Sequence, residues 1–537
     1  MPIPPRLLSA VIFCFVAAAA RAADAPPAPA ERRFDVMEFA IDGNSVLPQV
    51  DVERAVYPFL GPARSLGDIE KAREALEKAY HDAGYLTVLV DIPEQKVTEG
   101  LVQLRVTEGR VERLKVAGNR YYARDEIRAE APSLAPGTVP NFTDAQQDLA
   151  ALSRTPDRRV TPLLRPGRAP GTVEVELKVD DELPLHGSAE INNKQSPDTT
   201  DRRFEASLRY DNVWQKGHSF GLSFQNSPLD TDQVEVLTGT YSAPFGAGTL
   251  AAYAVGSDSN LATAASTTVL GKGTTLGLRY IRPLPARGAY FHSLSAGFDI
   301  KDFDETTNLI GADTANKPIR YVPFGVQYTG GTQNETGQWQ FNLGASWSLR
   351  GLSDRTVICD DGLPHDQFDC KRNGAKSSFA VLRGDLQHNR SLGGGWDLTA
   401  RLDFQTASQP LISNEQFAAG GVDSVRGYLD AERTGDDAWR ARLELRTPSL
   451  WPESGIETRA LGFIDWASLR VQKPDPGQES SFAIGSWGVG LRLRDGSGLR
   501  LALDLAQALR DGADDADGAP RTRKNDTRLH VRMGYEF

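Results

Sequence analysis

From residue 187 to the last residue, the chain alternates hydrophobic and polar positions in short segments, separated by turns rich in Gly, Asp, Asn and Pro. Segments such as 203–210 and 499–505 have this period of two, which is typical of strands whose two faces meet different surroundings. A membrane-crossing barrel strand needs about 9–11 residues plus a connection, so this region has room for about 16 strands. The pattern predicts a large antiparallel barrel over 187–537, without helices.

The alternation continues to the end of the sequence, through LHVRMGYEF at 529–537. One face of this segment is apolar throughout and ends on Tyr535 and Phe537. A soluble edge strand has a similar pattern, but it rarely stops on a Phe at the last residue. We therefore expect a transmembrane barrel in the outer membrane of a Gram-negative-type envelope, with Tyr535 and Phe537 as its C-terminal signal.

Residues 34–109 show a different pattern, in which strand and helix periods are mixed. A strand-like segment at 34–41 ends at the turn residues Gly43 and Asn44. Ser65 and Asp68 have the spacing of a capping box, which opens a helix. The apolar face of that helix contains Ile69, Ala72, Leu76 and Tyr80. Two strands follow, so the segment predicts a small α+β domain.

The same order returns in residues 110–182. A strand at 111–116 ends at Gly118-Asn119, which matches the Gly-Asn turn of the first module. A helix fits 143–153, and two strands follow it. Each module is near the lower size limit for an independent core. The sequence thus predicts two similar α+β domains in tandem before the barrel.

The N-terminus has the pattern of a secretory signal peptide. Residues 7–20 form the longest apolar run, with Arg6 before it and the small-residue site Ala20-Arg21-Ala22 after it. The run is shorter than the roughly 20 residues that span a bilayer. We expect a signal peptide over 1–22, with an uncleaved anchor as the alternative. Residues 23–33, rich in Pro and Ala, form a linker.

The net charge, the mean hydropathy and the cysteines limit which partners and which class of protein are expected. The formal net charge of −11 argues against a nucleic-acid partner, and the mean hydropathy of −0.38 argues against a helical membrane protein. Cys14 would leave with the signal peptide, whereas Cys359 and Cys370 flank the acidic stretch DDGLPHDQFD. In an oxidising compartment this predicts a surface loop closed by a disulfide. Cation binding by the acidic residues is the alternative.

Sequence motifs for catalysis, cofactors and metals are missing. There is no phosphate loop of the form G-x-x-x-x-G-K-[ST], no H-E-x-x-H and no G-x-S-x-G. The seven His residues are scattered without metal-ligand spacing. Asp436 and Asp437 form an acidic pair, but in a loop with no sign of a cleft. We expect no enzymatic activity, no cofactor and no metal.

The most specific stretch is NEQFAAGGVDSVRGY at 414–428. Its EQF-x-x-GG and VRGY motifs resemble the inward-folded barrel loop of the two-partner secretion transporters, the haemolysin secretion/activation family within the Omp85 superfamily. The tandem modules resemble two POTRA domains, and PGRAPG at 166–171 resembles the family's PG-x-x-PG turn. The expected strand number and the terminal Phe agree with this family, and the resemblance covers nearly the whole mature chain.

The resemblance implies that residues 413–437 fold into the barrel lumen. The motif of this loop is Val425, Arg426, Gly427 and Tyr428. Gly462-Phe463-Ile464-Asp465 resembles the family's F-x-D segment, in which Phe463 and Asp465 share the lumen face of one strand. An unpaired charge inside a barrel is costly, so we expect Asp465 to pair with Arg426 and pin the loop. The alternative is a solvent-facing Arg426 in a surface loop.

The resemblance also implies a function. Such a protein recognises an unfolded partner exoprotein, through its N-terminal secretion domain, with periplasmic POTRA-like domains. It then passes the exoprotein through the barrel to the cell surface without ATP. The resemblance further implies that the protein is a monomer. Its expected partners are outer-membrane lipids and, during biogenesis, the barrel-assembly machinery.

Two other functions stay open from the residues alone. An Omp85-type assembly factor inserts other barrels, but members of that group look to have more than two POTRA domains, often five. A passive porin would not need such domains. Many family members carry an N-terminal helix that occupies the pore. The linker 23–33 is short and Pro-rich, so we expect this helix to be absent or very short.

Overall fold

The computed structural model divides the chain into two compact units, Met1–Asp181 and Glu182–Phe537. It describes residues 33–537 except 198, 232, 260–261, 265–266, 270–271, 304–317, 354, 360–361, 475–477 and 516. The predicted signal peptide 1–22, the linker 23–33 apart from Arg33, and the place for a plug helix lie outside the described residues. No helix in the described part of the chain is long and apolar enough to cross a membrane.

The first unit opens with an α+β module. Its elements are β1 (Phe34–Val36), β2 (Glu38–Asp42), α1 (Gln49–Val56), a 3₁₀ turn (Tyr57–Phe59), β3 (Gly61–Arg64), α2 (Leu66–Asp82), β4 (Val88–Asp91) and β5 (Leu101–Glu108). The main sheet has the order β2-β5-β4, with β2 parallel and β4 antiparallel to β5. Ser65 caps α2 through the predicted capping box. The predicted apolar face of α2 is confirmed, because its four residues are at most 2% exposed.

The second module repeats this architecture. Its elements are β6 (Arg110–Ala117), α3 (Arg124–Ala129), a 3₁₀ turn (Pro132–Leu134), α4 (Phe142–Leu152), β7 (Arg158–Pro166) and β8 (Thr172–Asp181). The sheet order is β6-β8-β7, again with one parallel and one antiparallel pair. The predicted helix at 143–153 and the two strands after it are confirmed. The two α+β sheets are therefore built alike.

In each module a carboxylate fixes the turn that follows the first strand of the three-stranded sheet, β2 in the first module and β6 in the second. Gly43 and Gly118 both have positive φ, +94° and +91°, in the turns that the Gly-Asn match predicted. The carboxylate of Glu108 accepts the N–H groups of Ser45 and Val46. In the second module, Asp181 accepts the N–H groups of three consecutive residues, 120 to 122. Each acid ends the last strand of its module, so one structural solution is used twice.

The turn PGRAPG at 166–171 connects β7 to β8. Its backbone is held by Glu112, whose carboxylate accepts the N–H of Arg168 at 2.7 Å and the hydroxyl of Thr172 at 3.0 Å. The Arg168 N–H bond, followed by the Thr172 hydroxyl, holds the pKa of Glu112 below its ordinary value. The turn therefore has a defined conformation on an exposed surface.

The second unit contains the remaining elements. In chain order they are β9 (Leu185–Asn192), β10 (Arg203–Val213), β11 (His218–Asn226), β12 (Val234–Phe245), β13 (Gly248–Ser259), β14 (Ala262–Ala264), β15 (Thr267–Val269), β16 (Gly273–Arg287), β17 (Tyr290–Phe303), β18 (Ile319–Tyr321), β19 (Pro323–Asn334), β20 (Gly337–Ser348), α5 (Arg350–Ser353), β21 (Thr356–Ile358), β22 (Pro364–Asp366), α6 (Gln367–Lys371), β23 (Ala380–Gly393), β24 (Trp396–Ala407), β25 (Phe417–Ala419), β26 (Arg433–Gly435), β27 (Asp437–Arg446), β28 (Glu457–Arg470), β29 (Ser481–Arg494), β30 (Leu499–Ala508) and β31 (Thr527–Glu536), with 3₁₀ turns at Ser413–Glu415 and Pro452–Ser454. The first of these strands begins two residues before the expected start of the barrel.

These strands form a closed antiparallel barrel. Its wall runs through β9 to β13, β16 to β20, β23, β24 and β27 to β31, and β31 pairs with β9 to close it. Only Val322 separates β18 from β19, and both pair with β17, so together they count as one wall strand. The wall thus has 16 strands, and the predicted transmembrane barrel is confirmed.

Side chains alternate across the wall, as the sequence pattern predicted. Outward-facing Leu222, Leu237, Leu343 and Ile464 are between 43% and 57% exposed, which gives the barrel an apolar outer surface suited to lipid. Short turns join the strands at the end where β9 begins and β31 ends. At the opposite end the connections are longer, among them 349–379 and 408–436.

The expectation that this region lacks helices was wrong in one place. The connection between β20 and β23 contains α5 and α6, of four and five residues. Helices this short complete barely one turn, so they leave no helical period in the sequence. Asp366 caps α6 by accepting the N–H of Phe368, and Phe368 is almost fully buried. Tertiary packing rather than local sequence therefore selects these helices.

Candidate functional site

Between β24 and β27 the chain leaves the wall and folds inward. We call residues 413–437 the lumen loop. It contains a small hairpin of β25 and β26, but most of it is irregular backbone. Asp423 is the only residue of the loop classed as exposed. Irregular backbone is rarely buried, because its polar groups need partners, so the contacts of this loop define the site.

Arg426 is the centre of these contacts and is only 1% exposed. Its Nε lies 2.7 Å from Oδ2 of Asp465 and its second terminal nitrogen lies 2.9 Å from Oδ1, which makes a two-pronged ion pair. The other terminal nitrogen lies 2.9 Å from Glu444 and 3.5 Å from Asp504. The guanidinium also stacks on the Phe463 ring, 3.3 Å from its centroid. The expected Arg426–Asp465 pair is present, and Arg426 does not face solvent.

The partners of Arg426 come from three wall strands whose register brings them together. Glu444 in β27 is paired with Phe463 in β28, and Asp504 lies in β30. The intervening β29 presents Gly488 and Gly490 to the lumen at this level. A Cβ at Gly488 would lie 2.5 Å from the Phe463 ring, and one at Gly490 would lie 2.4 Å from Asp504. Glycine in β29 therefore provides the space for the site.

The charge balance of this cluster decides how firmly it holds the loop. Arg426 faces three carboxylates, while Arg442 lies 3.5 Å from Asp465 and Arg446 lies 2.6 Å from Glu444. A guanidinium is suited to buried ion pairs because its planar fork satisfies a carboxylate with two hydrogen bonds. Removing one partner of a buried pair typically costs about 3–5 kcal/mol. The Arg426 cluster is therefore a strong clamp that includes both loop and wall.

The neighbours of Arg426 in the motif extend this attachment. Gly427 has φ +91° and donates its N–H to Nε2 of His530 at 2.9 Å. The hydroxyl of Tyr428 lies 2.9 Å from the carbonyl oxygen of Gly485 and 2.8 Å from that of Arg510. Val425 is fully buried in a small apolar cluster with Tyr428. All four motif residues thus contact the inner wall or the core of the loop.

On either side of the motif, the loop contacts the connection between β9 and β10. Asp430 donates its N–H to the carbonyl oxygen of Gln195 at 2.8 Å. The carboxylate of Asp423 lies 3.2 Å from Lys194 and 3.2 Å from Arg532. The loop therefore bridges wall segments that are adjacent in the closed barrel but distant in sequence.

Two further acids anchor the base of the loop. Glu415 is 4% exposed and accepts from Lys301 at 2.6 Å and from the hydroxyl of Tyr321 at 2.9 Å. Asp436 is fully buried and forms a two-pronged pair with Arg372 at 2.6 and 2.8 Å. The expectation that Asp436 lies in a loop without a cleft was wrong. The sequence context of Asp436 does not show that it has a cation partner, because Arg372 lies 64 residues earlier in the chain.

Arg372 belongs to the connection that carries the predicted disulfide. Cys359 and Cys370 are bonded, with their Cα atoms 5.5 Å apart. After α6, Arg372 also donates to the carbonyl oxygens of Leu411 and Gln472. Phe368 packs with residues of the wall and of the loop base in one apolar cluster. That cluster, the apolar cap, comprises Val234, Val236, Val255, Phe303, Ile319, Tyr321, Phe368, Ala375, Phe379, Val381, Leu411 and Ile412.

We expect that replacing Arg372 by Ala loosens the base of the lumen loop. Asp436 would keep its backbone donors but lose its only guanidinium partner among the described residues, at a cost of a few kcal/mol. Single-channel recording of the purified protein in planar bilayers should show more frequent openings, by about tenfold. Arg355, exposed in the same connection, gives the control variant Arg355→Ala. Unchanged opening of the Arg372 variant would contradict the anchoring role.

The C-terminal aromatic residues lie at the closure of the barrel. Phe537 and Gly187 exchange backbone hydrogen bonds, each 3.0 Å long. The rings of Tyr535 and Phe537 lie 6.2 Å apart, and both side chains are exposed on the outer surface. This position is consistent with an outward-facing signal, whose role as such stays a prediction.

Sequence reasoning missed several residues of the site. Glu444 and Asp504 contact Arg426, and His530 accepts from Gly427. The signal for Asp504 was a lone acid at an inward position of the otherwise apolar segment LALDLAQA. Glu444 and His530 alternate with apolar residues among arginines, so their sequence context does not distinguish them from solvated positions.

Comparison with known proteins agrees with this architecture. The profile of the "Haemolysin secretion/activation protein ShlB/FhaC/HecB" family matches residues 171–493, and that of the "POTRA domain, ShlB-type" matches residues 34–109. The outer membrane transporter CdiB of Dickeya dadantii is 24% identical over 470 residues, which cover 85% of this chain and 80% of that protein. The heme/hemopexin transporter protein HuxB of Haemophilus influenzae is 19% identical over 472 residues, or 86% of this chain and 80% of HuxB.

A solved structure shows the same fold. CdiB from Escherichia coli superposes with a TM-score of 0.63 at 18% sequence identity, covering 96% of this chain and 93% of that one. The family profile spans more than half of the 537 residues. The chain therefore belongs to the haemolysin secretion/activation family and is a two-partner secretion transporter of the outer membrane, not an enzyme, which secretes partner exoproteins.

Proposed function

We propose that the two N-terminal modules capture an unfolded exoprotein, and that the exoprotein crosses the barrel when the lumen loop moves aside. The observation that carries this proposal is the Arg426 clamp. An element held in the lumen by one compact ionic cluster has a defined docked state, and it can leave as a unit. A wall of 16 strands is wide enough for an aqueous lumen once the loop has moved.

Capture of an unfolded client requires a surface that binds many different amino-acid sequences. In each module the sheet has two edge strands, and an extended client chain can add to such an edge through main-chain hydrogen bonds. β7 is the longest of these edges, with nine residues, and Leu163 and Leu164 in its second half are 39% and 37% exposed. Strand addition there would need little side-chain specificity, which suits an unfolded client.

Passage requires the lumen loop and the apolar cap to give way. Even a bare helix with its side chains is about 10–12 Å wide, and an extended chain needs less room. The sequence has no nucleotide-binding loop, so we propose that folding of the client outside the cell drives transport. The pinned loop then closes the pore between transport events.

The names of the relatives guide the choice of client. HuxB is named a heme/hemopexin transporter and CdiB an outer membrane transporter. For this chain we propose a large exoprotein that carries an N-terminal secretion domain. Outer-membrane lipids would surround the apolar outer surface, the barrel-assembly machinery would insert the barrel, and the transporter would act as a monomer.

The test is reconstitution of the purified full-length chain in liposomes. The probe is the denatured exoprotein encoded by the neighbouring gene, added to the side that carries the modules. We expect protease-protected exoprotein inside the vesicles without added nucleotide. Transport that requires ATP, or none at all, would contradict the proposal. Insertion of an added unfolded outer-membrane barrel would instead favour the assembly-factor function.

A further inference from the structure

An apolar groove crosses the outer, lipid-facing surface of the barrel over β23, β24 and β27. It has a volume of about 500 Å³ and is lined by outward side chains of β20, β23, β24, β27 and β28, together with Arg401 and Arg442. These two arginines direct their side chains into the lumen, where they contact Asp403 and Asp465. Only their backbone can therefore border the groove, which is an apolar depression in the wall.

Two alanines make the floor of this groove. Ala400 of β24 pairs with Leu443 of β27, and Ala441 of β27 pairs with Leu402 of β24. The two alanines are therefore diagonal neighbours on adjacent strands, and their side chains share one surface. Leu402 and Leu443 are 43% and 46% exposed, so they stand above the alanines. A slender apolar chain fits between the two leucines.

Aromatic rings line the groove on both sides. Trp339 of β20 stacks on His388 of β23 on one side, with ring centroids 3.8 Å apart, and Trp466 of β28 lies on the other. The short-turn end of the barrel is periplasmic, because β9 starts there directly after the N-terminal modules. Trp339 and His388 lie in the periplasmic halves of their strands. Amphipathic rings concentrate at the level of lipid head groups, so this end of the groove lies near the periplasmic leaflet's head groups.

A basic residue follows the groove at this end. Arg390 lies two positions after His388 on the same outward face of β23, and it is exposed without a carboxylate partner among the described residues. The outward positions of β20, β23, β24 and β27 contain no other Lys or Arg. An Arg side chain reaches the interface while its stem stays on apolar surface, and its guanidinium binds phosphate with two parallel hydrogen bonds. A phosphate therefore has a partner at the head-group end of the groove.

We infer that the groove binds one acyl chain of a glycerophospholipid from the periplasmic leaflet, and that the phosphate of this lipid pairs with Arg390. The glycerol esters lie beside Trp339 and His388. The acyl chain continues over Ala400 and Ala441. Lipid surrounds the whole barrel, so close packing and the ion pair, rather than transfer out of water, give this site its preference. The site does not depend on the proposed function.

Native mass spectrometry of the full-length protein in detergent micelles tests this site. The delipidated protein is titrated with palmitoyl-oleoyl phosphatidylethanolamine, and with a diacylglycerol that carries the same chains but no phosphate. Ala400→Phe fills the floor of the groove, and Arg390→Gln removes the cation. Heat-modifiable mobility in gels shows whether each variant is a folded barrel. If Ala400→Phe does not fold, Ala441→Phe fills the same floor from the neighbouring strand.

Matched controls change the same residue types on the outer surface away from the groove. Ala254 of β13 is exposed and pairs with outward-facing Leu276. Arg282 of β16 is exposed and pairs with outward-facing Leu294. The two leucines are 52% and 42% exposed. Ala254→Phe and Arg282→Gln therefore add a ring or remove a cation at a lipid-facing position without touching the groove.

We expect the unmodified protein and both controls to bind one phospholipid with affinities within twofold of each other. Ala400→Phe and Arg390→Gln should each bind it at least fivefold more weakly, and the unmodified protein should bind diacylglycerol at least fivefold more weakly than phospholipid. Equal binding by all variants, an equal loss in the controls, or no saturable binding would overturn the inference. Equal affinity for diacylglycerol, or displacement of the phospholipid by purified lipopolysaccharide, would overturn it as well.

Discussion

Replacing Arg426 by Ala is expected to reduce exoprotein export at least tenfold, while the barrel still inserts into the outer membrane. The substitution leaves Asp465, Glu444 and Asp504 close together without their shared cation. Loss of one partner from a buried cluster costs about 3–5 kcal/mol, and each 1.4 kcal/mol changes the docked fraction of the loop about tenfold. The loop would lose its defined docked state and obstruct the lumen. Export is measured as exoprotein in the medium.

Two variants serve as controls for this result. Arg446→Ala removes a guanidinium that contacts the same Glu444 at 2.6 Å but is 43% exposed, so its export should stay within twofold of the unmodified protein. Arg426→Lys keeps the charge but not the planar fork, and should give intermediate export. Barrel insertion is checked by heat-modifiable mobility in gels. An inserted Arg426→Ala protein that exports normally would refute the role of the clamp.

Removing residues 34–182 is expected to abolish export and to leave an ion-conducting barrel. The barrel is a compact unit by itself, starting at Glu182, and its hydrogen-bonded wall closes through β9 and β31. The deletion removes every edge strand of the two modules, and with them the proposed surface for client capture. Conductance in planar bilayers measures the barrel, and exoprotein in the medium measures export.

A shorter deletion separates capture from simple tethering. Removing residues 34–109 leaves the second module, including the β7 edge, attached to the barrel. If β7 contributes to capture, this protein should retain more exoprotein binding in pull-down assays than the protein lacking 34–182. Export by the protein without either module would contradict client capture altogether.

The sequence predicted features that depend on local physics. The period of two predicted the wall strands, and the capping box at Ser65 predicted the start of α2. The match between the Gly-Asn turns predicted two similar modules, and the structure gives their sheets the same pattern of one parallel and one antiparallel pair. The Arg426–Asp465 contact came from the resemblance to a family, and the structure places the two side chains together. The functional role of that contact stays a prediction.

Other features depend on contacts between distant segments, which the pattern does not contain. Asp436 pairs with Arg372, 64 residues earlier, and neither residue differs in sequence context from a solvated one. The short helix α6 is stabilised by the burial of Phe368 in the apolar cap rather than by its own propensity. Barrel closure sets which inward residues meet, so the contacts of Arg426 with Glu444 and Asp504 became visible only in three dimensions.

The lumen loop contacts both the beginning and the end of the barrel sequence, and this has a consequence for assembly. Asp430 bonds to Gln195 just after the first wall strand, and Gly427 bonds to His530 in the last one. Contacts between residues so far apart form late, because the intervening chain must be ordered first. An incomplete barrel therefore remains permeable. Closure of the wall creates the contacts that hold the lumen loop in the pore. During biogenesis, permeability to small solutes would report whether β31 has paired with β9.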